Sequence, residues 1–199
     1  NNKYNFKVQK RFLKMIQKTE IKKIFISGTC LEYGSSFGKV KETSIVKNLQ
    51  SFAYYKDKLR KYCFKILRKK KIVWGRIFYV YGKGQKKTSL INLVARKNRV
   101  FLKEPFAFCD FIHIQDVCSA IFFLINSNHN RIVNISSSLP VSVVDFCLNV
   151  KKVLNTKKIL IQFNTNGKIK GNWGDNRLLK KSGWRPAYQL IKGIREIVK

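Results

Sequence analysis

A threonine, a tyrosine and a lysine in the first third of the chain have the types and spacing needed for proton transfer. Thr29 follows the apolar run Ile24, Phe25, Ile26, which is typical of a buried strand. We therefore expect Thr29 at the carboxyl end of a strand. Tyr54 and Lys58 lie four positions apart, which places them on one face of a helix, one turn apart.

These three side chains suit the interconversion of an alcohol and a ketone. A free phenol titrates near pH ~10 and is a weak base at neutral pH, but a nearby cation stabilises the phenolate. Lys58 would supply that charge to Tyr54, and the Thr29 hydroxyl would hold a substrate oxygen and relay a proton. Because no side chain carries hydride, the reaction also requires a cofactor. In a lysine-rich chain, the alternative is a half-buried tyrosine beside a solvated lysine.

The elements that must position these residues alternate between strands and helices, which predicts an α/β fold. The expected helices cover 5–19, 51–69, 89–96, 142–154, 175–181 and 190–198, with a further helix that ends at residue 126. The expected strands cover 21–27, 72–78, 100–102, 106–108, 131–135 and 159–163. Residues 30–48 and 164–174 are polar and glycine-bearing, so we expect loops there.

The chain is strongly basic: its 199 residues include 42 lysines and arginines against 10 acids, a net charge of +32. Such a charge attracts nucleic acid or another anionic partner. The excess is mostly lysine, spread over every segment, and it accompanies frequent asparagine, isoleucine and phenylalanine, which indicates a compositional bias. A protein that grips nucleic acid with lysines and aromatic side chains is therefore the minority interpretation.

Cysteine and histidine usage argues against a disulfide framework and against a metal centre. The five cysteines are odd in number and show no C-x-x-C spacing, which favours free thiols in a reducing compartment. His113 and His129 have no ligand spacing to each other. No apolar run reaches the ~20 residues of a membrane helix, and the first residues are polar, unlike a signal peptide. We expect a cytoplasmic protein with neither metal nor membrane contact.

Five stretches of the chain, taken in order, resemble the NAD-dependent epimerase/dehydratase family, the extended short-chain dehydrogenases/reductases that act on nucleotide sugars. They are ISGTCLEYG (26–34), YYKDK (54–58), RIFYVYGKGQ (76–85), DFIHIQDV (110–117) and GWRP (183–186). Each stretch is modest alone, but five in the family's order are specific.

The resemblance implies a partial Rossmann-type parallel sheet with a small C-terminal α+β substrate-binding lobe. Residues 1–80 would form the C-terminal half of the Rossmann-type domain, rejoined by about 111–135, and residues 81–110 and 136–199 the lobe. The glycine-rich phosphate loop is not found, since Gly82-Lys83-Gly84 follows no first strand and opens no βαβ unit. We therefore expect this sequence to be the C-terminal portion of a longer protein.

The resemblance also implies site residues, a cofactor and partners. The catalytic residues would be Thr29, Tyr54 and Lys58; NAD or NADP would contact Asn5, Ser27, Tyr54, Lys58 and Phe78; a nucleotide sugar would contact Thr29, Tyr79 and Gln85. Relatives commonly form homodimers through the helix at 51–69. They usually carry asparagine where this chain has Tyr79, and a phosphate-binding arginine where it has Cys109.

The residues after Thr29 narrow the reaction that the resemblance implies. Dehydratases of the family place aspartate and glutamate there, whereas this chain has Cys30 and Leu31, which disfavours sugar dehydration. What remains is epimerisation at sugar C4 through a transient ketone, or reduction of a 4-keto-6-deoxy sugar in surface-polysaccharide synthesis. A degenerate, inactive remnant is the third possibility. The sugar, the nucleotide and the choice of NAD or NADP stay open.

Overall fold

A computed structural model describes residues 1–46, 48–155, 159–164, 166 and 168–198. Its helices are α1 Asn2–Gln17, α2 Ser51–Ile66, α3 Leu90–Arg96, α4 Ile114–Asn126, α5 Val143–Val153, α6 Arg177–Lys181 and α7 Leu190–Val198. Its strands are β1 Lys23–Thr29, β2 Gly38–Val40, β3 Lys71–Ile77, β4 Tyr79–Tyr81, β5 Arg99–Leu102, β6 Ala107–His113, β7 Ile132–Ile135, β8 Pro140–Ser142, β9 Leu160–Phe163 and β10 Lys170–Gly174. A 3₁₀ helix covers Cys30–Tyr33.

The strands form parallel sheets, which confirms the predicted α/β class. β1, β3 and β7 lie side by side in that order, with Thr29 opposite Ile77. β2, β10, β6 and β4 form a second parallel set to which β8 adds antiparallel, and β5 pairs with β9. Because the carboxyl ends of parallel strands share one edge, the residues after β1 and β3 gather there.

Helix packing follows the apolar stripes of the sequence. α2 buries Leu59 and Cys63 in a core cluster with Leu13 of α1 and Trp74 of β3. A separate cluster fills the space between α5, α7 and β6, where the rings of Phe111 and Phe146 stack with centroids 3.9 Å apart. Burial of such apolar area is the main driving force for both clusters.

The last two motif stretches contact each other across the fold. Asp116, in the first turn of α4 and 2% exposed, accepts hydrogen bonds from the backbone N–H groups of Ala187 and Tyr188 at 2.8 and 3.1 Å. Trp184 donates its indole N–H to Ser119 Oγ at 3.0 Å. The segment after α6 is therefore fastened to α4, whose apolar face covers the three-stranded sheet.

Most predicted elements are present within a few residues, and α7 occupies the predicted range. The two loop predictions, 30–48 and 164–174, were wrong in part because β2 and β10 lie within them. Both strands are short and polar, and β10 is held by pairing with β2 and β6 on its two sides. Among the residues described, no helix is long and apolar enough to cross a membrane.

Candidate active site

The Thr29 turn is held by reciprocal capping. Thr29 ends β1 and caps the 3₁₀ helix, with its Oγ1 accepting from Leu31 N at 3.3 Å. Its own N–H donates to Glu32 Oε1 at 2.9 Å, which completes a capping box. The hydroxyl is thereby fixed at the carboxyl end of the strand, as the sequence predicts.

Glu32 is fully buried and joins three elements behind this turn. Besides Thr29 N–H, its carboxylate accepts from the Trp74 indole N–H at 3.0 Å and from Arg76 Nε at 3.1 Å, both on β3. Arg60 Nε of α2 lies 3.8 Å away. Gly28 is required here, since a Cβ would lie 2.6 Å from Glu32 Oε1 and would also clash with Trp74.

The charge of Glu32 is compensated by an equally buried guanidinium. Arg76 is 2% exposed and lies 4.4 Å from the centre of the Tyr33 ring. Burial lowers the pKa of Arg76, but Tyr33 and Glu32 raise it more, so the side chain stays charged. Tyr33 in turn donates its hydroxyl to Asn134 Oδ1 at 2.6 Å. The turn therefore rests on a connected polar network.

Tyr54 and Lys58 lie together on an exposed face of α2. The Lys58 ammonium is 5.1 Å from the centre of the Tyr54 ring, within cation–π range. The Tyr54 side chain is 45% exposed and packs edge-on against Tyr55. The hydrogen bonds found among the described residues include none that joins either side chain to Thr29.

A second lysine of α2, which the sequence analysis did not single out, reaches the end of β1. Lys56 is half-buried and donates from Nζ to the carbonyl of Ser27 at 3.0 Å. Burial lowers the pKa of Lys56, and Glu32 opposes that shift. The sequence could have identified Lys56 by its position four residues after Phe52 and three before Leu59, which puts it on the apolar stripe of the helix.

Two cavities open beside Lys56. One of about 50 Å³ lies between α1 and α2 and is lined by Asn2, Asn5, Phe52 and Lys56 among others. The other, of about 220 Å³, runs along β1 and is lined by Ser27 and Lys56 with neighbouring apolar side chains. Two of the residues predicted to contact the cofactor, Asn5 and Ser27, thus gather around Lys56. Neither cavity is lined by Tyr54 or Lys58.

The other predicted contacts follow β3. Phe78 is 3% exposed and belongs to a core cluster with Tyr33, so its side chain offers little surface. Tyr79 is 39% exposed, and burial raises the pKa of its hydroxyl. Gln85 donates its amide to the Val80 carbonyl at 2.8 Å and closes the turn. Of the three side chains, Tyr79 offers the most surface to a substrate.

Two buried thiols occupy positions at which the family resemblance implies polar groups. Burial raises the pKa of Cys30 to about 12 and that of Cys109 to about 11, so both stay neutral. A neutral thiol neither transfers a proton readily nor holds a phosphate. The guanidinium of Arg177 is paired with the Asp175 carboxylate at 2.6 Å.

A second buried carboxylate, Asp110, has only uncharged partners. It is fully buried and accepts from Ser137 N and Oγ, both at 2.7 Å, from Ser138 N at 2.9 Å and from Gly174 N at 3.0 Å. Burial raises its pKa against these hydrogen bonds. It holds Ser138 at a φ of 64°, which is strained for a non-glycine residue.

His113 has a structural role. Its Nδ1 accepts from Gln115 N at 3.3 Å and caps α4, and its ring stacks on Tyr188 with centroids 3.9 Å apart. Across the part of the chain that the structure describes, no group of three or more histidine, cysteine, aspartate or glutamate side chains could hold a metal ion.

Comparison with known proteins identifies the family of the chain. The model of the NAD dependent epimerase/dehydratase family matches residues 2–136, more than half of the chain. The chain belongs to that family. No curated protein sequence matches it.

Several solved structures share the fold at low sequence identity. UDP-glucuronic acid 4-epimerase from Bacillus cereus, in complex with UDP-glucuronic acid and NAD, superposes with a TM-score of 0.86 at 18% identity, over 98% of this chain and 66% of that one. RMD from Pseudomonas aeruginosa, complexed with NADPH, gives 0.83 at 18% identity, over 96% and 70%. TunA, an NAD-dependent NDP-hexosamine 5,6-dehydratase, gives 0.86 at 20% identity, over 98% and 67%. The chain thus spans about two thirds of the length of these structures.

Proposed function

We propose that this chain is part of an NAD(P)-dependent enzyme that epimerises a nucleotide sugar at C4 or reduces its 4-ketone. The observation that carries the proposal is the Thr29 hydroxyl, fixed by a capping box at the carboxyl end of β1 in a chain of the epimerase/dehydratase family. A hydroxyl at that edge can hold the oxygen of a sugar alcohol while its proton is transferred.

In the proposed mechanism, the side chains handle the proton and orient the sugar. Thr29 holds the C4 oxygen, and a lysine of α2 supplies the cation of the relay. The sequence predicts Tyr54 and Lys58 as the relay pair, with the ammonium 5.1 Å from the centre of the ring, but both side chains lie on the exposed face of the helix. An ammonium close to the ring stabilises the phenolate form that accepts the proton. The exposure of Tyr79 after β3 supports its proposed contact with the sugar.

The polar groups beside β1 fit a nicotinamide nucleotide. Asn2, Asn5, Lys56 and Ser27 are among the residues that line the two cavities, and they carry amide, ammonium and hydroxyl groups. Such donors suit ribose hydroxyls and a carboxamide. When bound, the nicotinamide supplies the hydride acceptor and donor that no side chain provides. The structures of two relatives contain NAD or NADPH.

Epimerisation or reduction fits the site better than dehydration. A 4,6-dehydratase needs an acid and a base next to the threonine, and the pKa of Cys30 is far too high for either role. Leu31 is apolar and half exposed. The fold itself does not discriminate, because a dehydratase is among the similar structures.

We further propose a homodimer through α1 and α2. α1 exposes Tyr4, Val8, Phe12 and Met15 at helical spacing, on the side away from the core residue Leu13. Four large apolar side chains on one helix face suit an interface better than a monomer surface. Sedimentation of the natural protein should give twice the monomer mass, with Phe12→Lys shifting it to monomer and Phe101→Lys, in an exposed strand elsewhere, leaving it unchanged. A monomeric natural protein would refute this interface.

The function is tested by the hydroxyl at Thr29. In the natural polypeptide that contains this sequence, Thr29→Val should lower kcat/KM for its nucleotide sugar by about 100-fold or more. Thr29→Ser keeps the hydroxyl and the cap, and Thr43→Val changes an exposed threonine of a loop; both should retain activity. Full activity of Thr29→Val, or no turnover of any nucleotide sugar with NAD or NADP, would contradict the proposal.

A further inference from the structure

The two faces of α2 differ in where they point. Phe52, Lys56, Leu59 and Cys63 follow one helical stripe, at spacings of four, three and four. Leu59 and Cys63 are buried against the sheet and Lys56 is half-buried, whereas Phe52, in the first turn, is 44% exposed and lines the small cavity together with Lys56. From Lys56 onward this stripe therefore faces β1.

The opposite stripe faces away from the core. Tyr54, Lys58, Lys61 and Lys65 repeat the same spacing on the other side of the helix, and all four are exposed. The exposed Lys61 ammonium reaches the largely buried carboxylate of Asp57 at 2.8 Å. Side chains on this stripe therefore face solvent and not the end of β1.

The contacts of Lys56 and Lys58 differ in the same way as the two faces of the helix. Lys56 bonds to the Ser27 carbonyl, two residues before Thr29, and lines both cavities that hold Asn5 and Ser27. Lys58 contacts the Tyr54 ring and lines neither cavity. Burial lowers the pKa of Lys56, because its amine is partly removed from solvent.

We propose that the reactive face of α2 carries Phe52 and Lys56 rather than Tyr54 and Lys58. Lys56 is the cation of the site, and Phe52 occupies the position one turn earlier, where proton transfer calls for a phenol. The inference rests on the proposed nucleotide-sugar function and reassigns its α2 residues. It follows that the natural protein has no phenol of a Tyr-x-x-x-Lys pair on this face. The proton of the C4 oxygen then passes through the Thr29 hydroxyl to and from solvent, and turnover is slow for that reason.

Matched substitutions on the two faces test the assignment. Assayed in the natural polypeptide with its nucleotide sugar, Lys56→Met should lower kcat about 100-fold, while Lys58→Met and Tyr54→Phe should stay within about threefold. Lys56→Arg keeps the charge and should recover part of the loss. Melting temperature and circular dichroism should be the same for all, which separates a role in the site from a role in folding.

The variant Phe52→Tyr tests the assignment by adding the missing phenol. It places a phenol one turn from Lys56 and should raise kcat about tenfold or more with little change in KM. An unchanged or lower kcat would overturn the role given to Phe52. Loss of activity in Lys58→Met and Tyr54→Phe, with Lys56→Met active, would overturn the reassignment and leave the proposed function intact.

If no variant converts the nucleotide sugar at a measurable rate, cofactor binding tests the assignment of Lys56. The affinity for NAD and NADP, measured by calorimetry on the same polypeptides, should fall about tenfold or more in Lys56→Met and stay constant in Lys58→Met. Equal affinities in the two variants would overturn the place of Lys56 in the site. Absence of turnover in both the natural protein and Phe52→Tyr would instead refute the proposed reaction.

Discussion

Two fully buried carboxylates hold turns in this molecule, by different means. Glu32, behind Thr29, is balanced by the charge of Arg76 and approached by Arg60 of α2. Asp110, between the second sheet and the 136–138 segment, is held by uncharged N–H and O–H donors alone, and burial raises its pKa. Removing one partner of a buried ion pair leaves the other charge buried and unpaired. A buried carboxylate that is held by neutral donors depends instead on the local backbone geometry that positions those donors.

The largest expected effect comes from breaking the charged anchor on one side. Arg76→Met leaves the Glu32 carboxylate buried without its main cation and should cost about 3–5 kcal/mol of unfolding free energy. The double variant Glu32→Gln with Arg76→Met removes both charges and keeps an acceptor for Thr29 N–H, so it should recover much of that loss. Denaturant unfolding measures all three proteins.

A surface pair provides the control for that experiment. Glu104 pairs with Lys170 at 2.8 Å, and both side chains are about half exposed, so Glu104→Gln should cost no more than about 1 kcal/mol. If Arg76→Met is as mild as Glu104→Gln, Glu32 does not depend on Arg76 and the contrast between the two carboxylates fails.

A smaller effect is expected at the neutral anchor. Asp110→Asn replaces one acceptor oxygen by an NH₂ group, which leaves about two of the four buried donors without a partner and should cost about 2 kcal/mol. No second substitution should rescue it, because no buried cation is left uncompensated. Urea unfolding at neutral pH measures the change, and rescue of Asp110→Asn by a distant charge substitution would show that this anchor is charge-coupled as well.

Sequence patterns recovered what is local and missed what depends on neighbours. The apolar stripes of α2 and α7 and the Ser142 cap of α5, where Ser142 Oγ accepts from Asp145 N at 3.1 Å, were predictable from spacing. β2 and β10 were not, because their pairing partners lie far away in the chain.

The candidate site shows the same division. Thr29 was placed correctly at the end of β1 because the apolar run before it is a local signal. Glu32 was missed although Thr29-x-x-Glu32 is itself a capping-box spacing. Lys56 was missed because a four-residue repeat identifies a face of a helix but not the side of the helix on which the sheet lies.

The hydrogen bonds between Asp116 and the segment after α6 determine how truncation of the chain affects the stability of the fold. A polypeptide cut short before Trp184 would lose both backbone donors that solvate this carboxylate and the indole that covers α4. The defect would then arise beside the middle of the fold and not at a dispensable tail. Late premature stops should accordingly yield proteins that quality-control proteases clear, and not shortened proteins that persist.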